Sequence, residues 1–298
     1  MKLRLLVIDG YSRQGRAELT AGGARVASAL YAETLRRIAG KENLILHTLF
    51  AADADASLPA GTALADFDGI VWTGSSLTIH SGQPEVTRQI ALARAAFAAG
   101  VPQFGSCWAI QIAAMAAGGD CGPNPRGREM GLARNIAPTG AGRGHPLLRG
   151  RPGAYDAWAV HDDMVTRLPP GAVCLAGNAF TPVQAMAVCH GPGEFWAVQY
   201  HPEFDGHEIA TLYELRAERL VRQGLAPDTA AVRALAARFR RLQDSPGDPW
   251  LRHELGADDQ VLDFHLRTLE IRNWLKAQAW PRCFSRLGPP VAPVAREG

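Results

Sequence analysis

Several protein classes are excluded by what this chain lacks. It has five cysteines in 298 residues (Cys107, Cys121, Cys174, Cys189 and Cys283), odd in number, irregularly spaced and without a CxxC pair. That usage argues against a disulfide framework or a zinc site and fits a reducing, cytoplasmic compartment. No apolar run approaches the roughly 18 residues that cross a bilayer. The opening "MKLRLLVIDGYS" is too short in its apolar part, and too interrupted by charge, for a signal peptide. Neither sign of charge dominates: 31 basic against 29 acidic side chains leave +2, which gives no footprint for nucleic acid or an anionic membrane surface. There is no internal repeat, no HExxH helix and no GxxxxGK[ST] loop. Two acid–histidine groupings, His201/Glu203/His207 and His161/Asp162/Asp163, lack helical ligand geometry or a cysteine at ligand spacing. No metal or cofactor is expected.

What is present is an alternation of apolar strands and helical patterns. Leu3–Ile8 reads as a strand, followed by the helix "GARVASALYAETLRRIAG" closed by Gly40, and then the strand Leu44–Phe50. "GIVWTG" (Gly69–Gly74) is a strand, Pro84 to Ala99 a helix, and "VPQF" a strand running into another helix. Such units predict an α/β fold, a flavodoxin-like, mainly parallel sheet covered by helices. From Val173 to Tyr200 short β segments predict antiparallel strands added at the sheet edge. After Phe204 the pattern turns helical. Asp228 stands as an N-cap before the stripe Val232, Leu235, Phe239 and Leu242, and a third helix is expected from about Asp258 to Leu275. The expected organisation is therefore a main domain over 1–204, a helical C-terminal extension over 205–281 and a flexible tail over 282–298. The extension has two readings, packing on the main domain or forming a contact between copies in a homo-oligomer.

The stretch "GVPQFGSCWAIQ" places Cys107 at a strand-to-helix turn. A nucleophile there is exposed by a sharp turn that needs small flanking residues, here Gly105 and Ala109. The following helix aims its first N–H groups and positive end at the sulfur. Gln111 follows one turn on, an amide in an apolar helix that needs a polar partner, a substrate being one candidate. A thiolate also needs a base and a group to orient it. In "AVQYHPEF" a strand ends in His201-Pro202-Glu203, and two-residue spacing puts the imidazole and carboxylate on one side of an extended chain. The other reading is a solvated loop histidine beside an unrelated buried cysteine.

Five segments together resemble the class-I (triad) glutamine amidotransferases, and among them the glutaminase domain of GMP synthase. They are "GIVWTGSSL", "VPQFGSCWAIQ", "GREMG", "VHDDMVTRLPPG" and "AVQYHPEF", in the family's order across roughly Leu3 to Phe204. The resemblance implies a Cys107–His201–Glu203 triad that hydrolyses the glutamine side-chain amide through a thioester. It implies an oxyanion hole from the N–H of Trp108 and one from the Gly74–Ser75 turn. It also places Gln111, His161 and Asp163 near the substrate, although the last two read equally well as a loop brace. The implied substrate is glutamine, and the implied partner a separate synthase chain that accepts ammonia, since nothing here resembles the synthetase half. A stand-alone γ-glutamyl hydrolase or peptidase, and a non-catalytic binding or regulatory protein on the same scaffold, are the alternatives. The chain departs from the family at three places. Ala109 replaces a glycine. Thr73-Gly74-Ser75-Ser76 replaces Ser-Gly-Gly-Pro, which predicts about 1 kcal/mol of strain if Ser75 takes a glycine-type positive φ. The bulky Trp108 is expected to narrow the pocket.

Overall fold

A computed structural model describes residues 2–286. Among these residues eleven strands form: β1 (Leu3–Asp9), β2 (Leu44–Phe50), β3 (Gly69–Trp72), β4 (Gln103–Ser106), β5 (Asp120–Pro123), β6 (Glu129–Pro138), β7 (Tyr155–His161), β8 (Asp163–Arg167), β9 (Ala172–Gly177), β10 (Ala185–His190) and β11 (Gly193–Val198). Nine of them make one sheet in the order β2-β1-β3-β4-β11-β10-β9-β6-β7, and β5 pairs with β8 apart from it. Strands β2 through β11 in that order run parallel, and from β11 outward the pairing is antiparallel. This is the doubly wound α/β architecture expected from the alternating pattern. β3 and β4 are buried along their whole length, as strands covered on both faces must be.

The helices that matter for the site are α1 (Arg13–Ala21), α2 (Ala27–Ala39), α3 (Pro84–Ala98), α4 (Trp108–Ala116), the short turn α5 (Gly140–Gly144), α6 (Gly206–Leu215), α7 (Ala217–Arg222) and α8 (Thr229–Asp244). α3 and α4 pack on one face of the parallel strands, with Ile70, Trp72, Phe97, Ile110 and Phe195 in one buried cluster. The other face is covered by α2 and by the end of the chain: Tyr31, Leu35, Ile271, Trp274, Leu275 and Cys283 share a cluster with Leu5, Val71 and Phe104. Asp228 caps α8 by accepting from the Ala231 N–H at 2.8 Å, and Val232, Phe239 and Leu242 are buried along it.

Two details of the C-terminal part differ from the sequence reading. The helix expected over Asp258–Leu275 is a series of short turns, Asp259–Leu262, Phe264–Arg267 and Leu269–Trp274. Asp263 ends the first turn and caps the second by accepting from the Leu266 N–H at 2.9 Å, so the apolar period runs through a break. The tail does not begin at 282: Trp280–Arg286 is helical, and Cys283 is fully buried, because this segment closes the core under β1. Residues 287–298 of the expected tail lie outside the described residues. Among those described, no helix is long and apolar enough to cross a membrane.

Candidate active site

Three neighbouring parallel strands end at the same edge of the sheet, the place where open α/β sheets bind ligands. Cys107 follows β4, His201 follows β11 and Gly74 follows β3. Cys107 sits before α4 with φ 55° and ψ −97°, a left-handed conformation that costs a non-glycine residue of order 1–3 kcal/mol. The turn is held by the Cys107 N–H donating to Val198 O at 2.8 Å and the His201 N–H donating to Trp158 O at 2.7 Å. Gly105 permits it. A methyl there would run into Trp72 O and sit 2.5 Å from Ala109 Cβ. Gly105→Ala is therefore expected to destabilise the fold by about 1–3 kcal/mol, the range for overpacking, read as a lowered midpoint in urea. Ala109, at the departure from the family glycine, lies in α4 and is fully buried.

The structure brings Cys107, His201 and Glu203 together, all buried. His201 Nδ1 lies 2.7 Å from Glu203 Oε1, and the same oxygen accepts from Ser106 Oγ at 2.9 Å. The Tyr31 hydroxyl in turn donates to Ser106 Oγ at 2.7 Å. With Nδ1–H committed to the carboxylate, Nε2 is left for the thiol, whose sulfur lies 3.6 Å from Val160 O. A Cβ built on Gly74 would lie 3.1 Å from His201 Cε1 and 4.0 Å from Cys107 Cβ, so Gly74 leaves these groups their space. The ring stacks on Phe204 with centroids 3.9 Å apart. Burial works against the charged imidazole, but the Glu203 carboxylate and the Cys107 sulfur overcome it and raise its pKa to about 10.

No hydrogen bond among the described residues uses the backbone N–H of Gly74, Ser75 or Trp108. Those amides remain available where the turn after β3 meets the start of α4. The strain expected at Ser75 is absent: among the described residues only Cys107 and Asn135 are non-glycine residues with positive φ. Ser75 instead donates from Oγ to Gly10 O at 2.8 Å and accepts from the Leu77 N–H at 3.1 Å, tying the turn to the end of β1. Trp108 is among the residues that line the cavity beside Cys107, and its indole is held in place. It turns into the core, where Nε1 donates to Gln89 Oε1 at 2.8 Å and the residue is 1 % exposed.

A cavity of about 750 Å³ opens onto Cys107 and is lined also by Tyr11, Ser75, Gln111, Asn124, Arg128, His161, Asp163 and Arg216. Gln111 donates from Nε2 to Asp163 O at 3.3 Å. Both ring nitrogens of His161 are used by the protein, Nε2 against Glu129 Oε2 at 2.9 Å and Nδ1 against Asp163 O at 3.1 Å. Glu129 is a buried hub that also accepts from Asn178, Thr181 and Gln184. Burial pushes its carboxyl up, but the His161, Asn178 and Thr181 hydrogen bonds outweigh that and hold it below the usual range. The Asp163 carboxylate faces the cavity with His80 Nδ1 at 3.7 Å, and burial raises its pKa. His207, weighed above as a metal ligand, pairs with Asp244 at 3.0 Å. Ser106, Tyr31, Glu129 and Arg216 were not singled out from the sequence. Two of them had a signal: Ser106 by its place beside the cysteine, and Glu129 by its place in the segment "GREMG".

Residues 45–214 match the model of the glutamine amidotransferase class-I family. The chain is 34% identical over 292 residues to a γ-glutamyl-L-1-hydroxyisopropylamide hydrolase of a Pseudomonas species, a match covering 96% of this chain and 97% of that one. It is 31% identical over 160 residues to the GMP synthase of Leifsonia xyli subsp. xyli, a match covering 54% of this chain and 29% of that protein. The crystal structure of a glutamine amidotransferase from Thermotoga maritima superposes with a TM-score of 0.63 at 14% identity, covering 94% of this chain and 99% of that one, and so shares the fold. The chain belongs to the class-I glutamine amidotransferase family. It is an amide hydrolase of that family, similar in part to GMP synthase glutaminase domains and over its full length to a γ-glutamyl amide hydrolase.

Proposed function

We propose that this protein is a stand-alone γ-glutamyl amide hydrolase that releases a small amine and glutamate. The observation that carries this reading is the extent of the match to the γ-glutamyl-L-1-hydroxyisopropylamide hydrolase, which covers 96% of this chain and so takes in its C-terminal helices. Those helices contribute Leu215, Arg216, Arg219 and Gln223 to the cavity at Cys107. A volume of about 750 Å³ also exceeds what a glutamine side chain alone would fill.

In this reading the Cys107 sulfur attacks the γ-carbonyl carbon and a C–S bond forms. The oxygen takes the charge and accepts from the N–H of Trp108 and from one N–H of the Gly74–Ser75 turn. The C–N bond breaks as the imidazolium of His201 gives its proton to the departing amine. Water, deprotonated by the same imidazole, then opens the thioester and glutamate leaves. Glu203 holds the ring through Nδ1. Gln111 and Asp163 serve the glutamyl group from the cavity wall, and His161 braces that wall through the Asp163 carbonyl. The second reading, glutamine hydrolysis with ammonia passed to a separate synthase, is favoured by the family model over residues 45–214.

Purified protein given γ-glutamylethylamide and glutamine separately tests this, with Cys107→Ala as blank. The expected result is equimolar ethylamine and glutamate, with kcat/KM for the ethylamide at least about tenfold above that for glutamine, a margin within reach of apolar pocket contacts. Preference for glutamine would favour the amidotransferase reading. No turnover of either, with no labelling of Cys107 by a glutamine-like electrophile, would leave a non-catalytic scaffold.

A further inference from the structure

The helical pattern that the sequence carries through Arg216 breaks at that residue, which ends α6 and opens α7 with φ −107° and ψ 12°. The break sets Arg216 in the wall of the cavity that contains Cys107. Its guanidinium makes no hydrogen bond or ion pair among the described residues, and Nη1 is sealed from solvent as well. The other cations on this wall are served. Arg128 donates to Asp162 Oδ2 at 2.5 Å and to Gln223 Oε1 at 2.9 Å, and Arg219 donates to the same Asp162 oxygen at 2.7 Å. Two guanidiniums thus share one carboxylate, and none is left for Arg216. The remaining acids of the cavity lie elsewhere: Asp163 faces His80, and the exposed Glu18 accepts from Gln14 Nε2 at 2.8 Å.

A guanidinium without an acceptor is costly to hold in a protein wall unless a ligand brings one. The planar fork suits a carboxylate, which it can bind through two parallel N–H bonds. Arg216 and Cys107 also share neighbours. Burial raises the Tyr11 phenol to about 12, with the charge on Arg216 working against that rise and the one on Cys107 adding to it. Burial lowers Arg128 to about 10, where Arg216 adds to the fall and Cys107 opposes it. The cation and the sulfur line one cavity. Every γ-glutamyl substrate carries an α-carboxylate at the far end of the glutamyl chain from the attacked carbonyl. We propose that Arg216, supplied by the break between α6 and α7, binds the α-carboxylate of the γ-glutamyl group. The assignment rests on the γ-glutamyl reading of the site.

The test is binding to Cys107→Ala protein, which retains ligand without turnover, by calorimetry with L-glutamate, γ-glutamylethylamide, γ-glutamylglycine and 4-aminobutanamide. The Arg216 side chain makes no bond among the described residues, so its replacement is expected to leave the fold intact, checked by near-UV circular dichroism. Adding Arg216→Gln is expected to weaken glutamate and γ-glutamylethylamide about 10- to 100-fold, the range for a charged hydrogen-bonded pair. Arg216→Lys recovers part of that loss. 4-Aminobutanamide, which lacks the carboxylate, binds both proteins equally. Glutamate affinity within about threefold of the parent, under 1 kcal/mol by the affinity relation, would overturn the assignment. So would a loss seen with γ-glutamylglycine alone, which would move Arg216 to a carboxylate on the leaving amine. If the parent binds glutamate but the wild-type enzyme hydrolyses no γ-glutamyl amide, the functional reading falls and the carboxylate site stands. A parent that binds no glutamate ends both.

Discussion

Glu203→Gln lowers kcat/KM for amide hydrolysis by about 10²- to 10⁴-fold, the range for a positioned acid–base pair that loses its orienting carboxylate. It also draws the alkaline limb of the pH profile downward. The sign follows from what holds the proton on His201. Burial alone would pull that pKa below the ordinary imidazole value, and the negative charges of Glu203 and Cys107 raise it to about 10. In the wild-type enzyme the ring therefore keeps its proton through neutral pH and gives it to the departing amine, and activity falls as pH rises toward 10. A neutral amide at 203 removes the first of the two raising charges, so the ring loses its proton at lower pH and the acid is lost earlier. The variant is expected to fold. Oε1 accepts from both Ser106 Oγ and His201 Nδ1, and an amide oxygen can accept from both as well. The buried Oε2 has no partner among the described residues, so an NH₂ placed there breaks no bond. A profile whose alkaline limb stays in place, or a loss below tenfold, would show that the carboxylate does not govern the imidazole.

Much of this site was legible because its parts are local. Strands such as Leu3–Asp9 and Leu44–Phe50 announce themselves as apolar runs. The elbow at Cys107 announces itself by the small residues a tight turn requires, and the pairing of His201 with Glu203 follows from the two-residue period of extended chain. What escaped is long-range or conformational. Tyr31 is one more core aromatic on α2 until the fold sets its hydroxyl against Ser106. Glu129 stands in the segment "GREMG" with no visible partner until the end of β7 and the loop over 178–184 bring it His161, Asn178, Thr181 and Gln184. Helix α1, with only Gly15 and Leu19 buried, has no apolar stripe to read. The strain expected at Ser75 failed for a related reason: a glycine in a family motif does not show that the backbone needs positive φ, and this turn is closed by the serine hydroxyl. The break at Arg216 was hidden because apolar and charged residues keep a helical period on both sides of it.

Trp274→Ala is expected to cost about 3–5 kcal/mol of folding stability, the range for removing a large buried aromatic. That corresponds to a fall in Tm of roughly 6–20 °C for a chain of this size, and the urea midpoint measures the same loss. The residue lies in the C-terminal part, which the sequence marks only as an appendage, but the ring is fully buried against the parallel sheet. Its centroid is 5.8 Å from that of Phe104, and Gly69 in β3 has no side chain because a Cβ there would meet the indole at 2.6 Å. Phe104 and Gly69 lie in β4 and β3, the strands whose ends carry Cys107 and Gly74. A cavity at 274 therefore loosens the two strands that carry the sulfur and the Gly74–Ser75 turn, and kcat is expected to fall along with stability at temperatures well below Tm. Trp274→Phe, which keeps most of the volume, separates the two effects by restoring most of the stability and the rate. A loss below about 1 kcal/mol for the alanine variant, the level of an ordinary surface change, would mean that the sheet does not depend on this cover. The C-terminal helices would then have to be explained by the cavity they help to line rather than by the core they close.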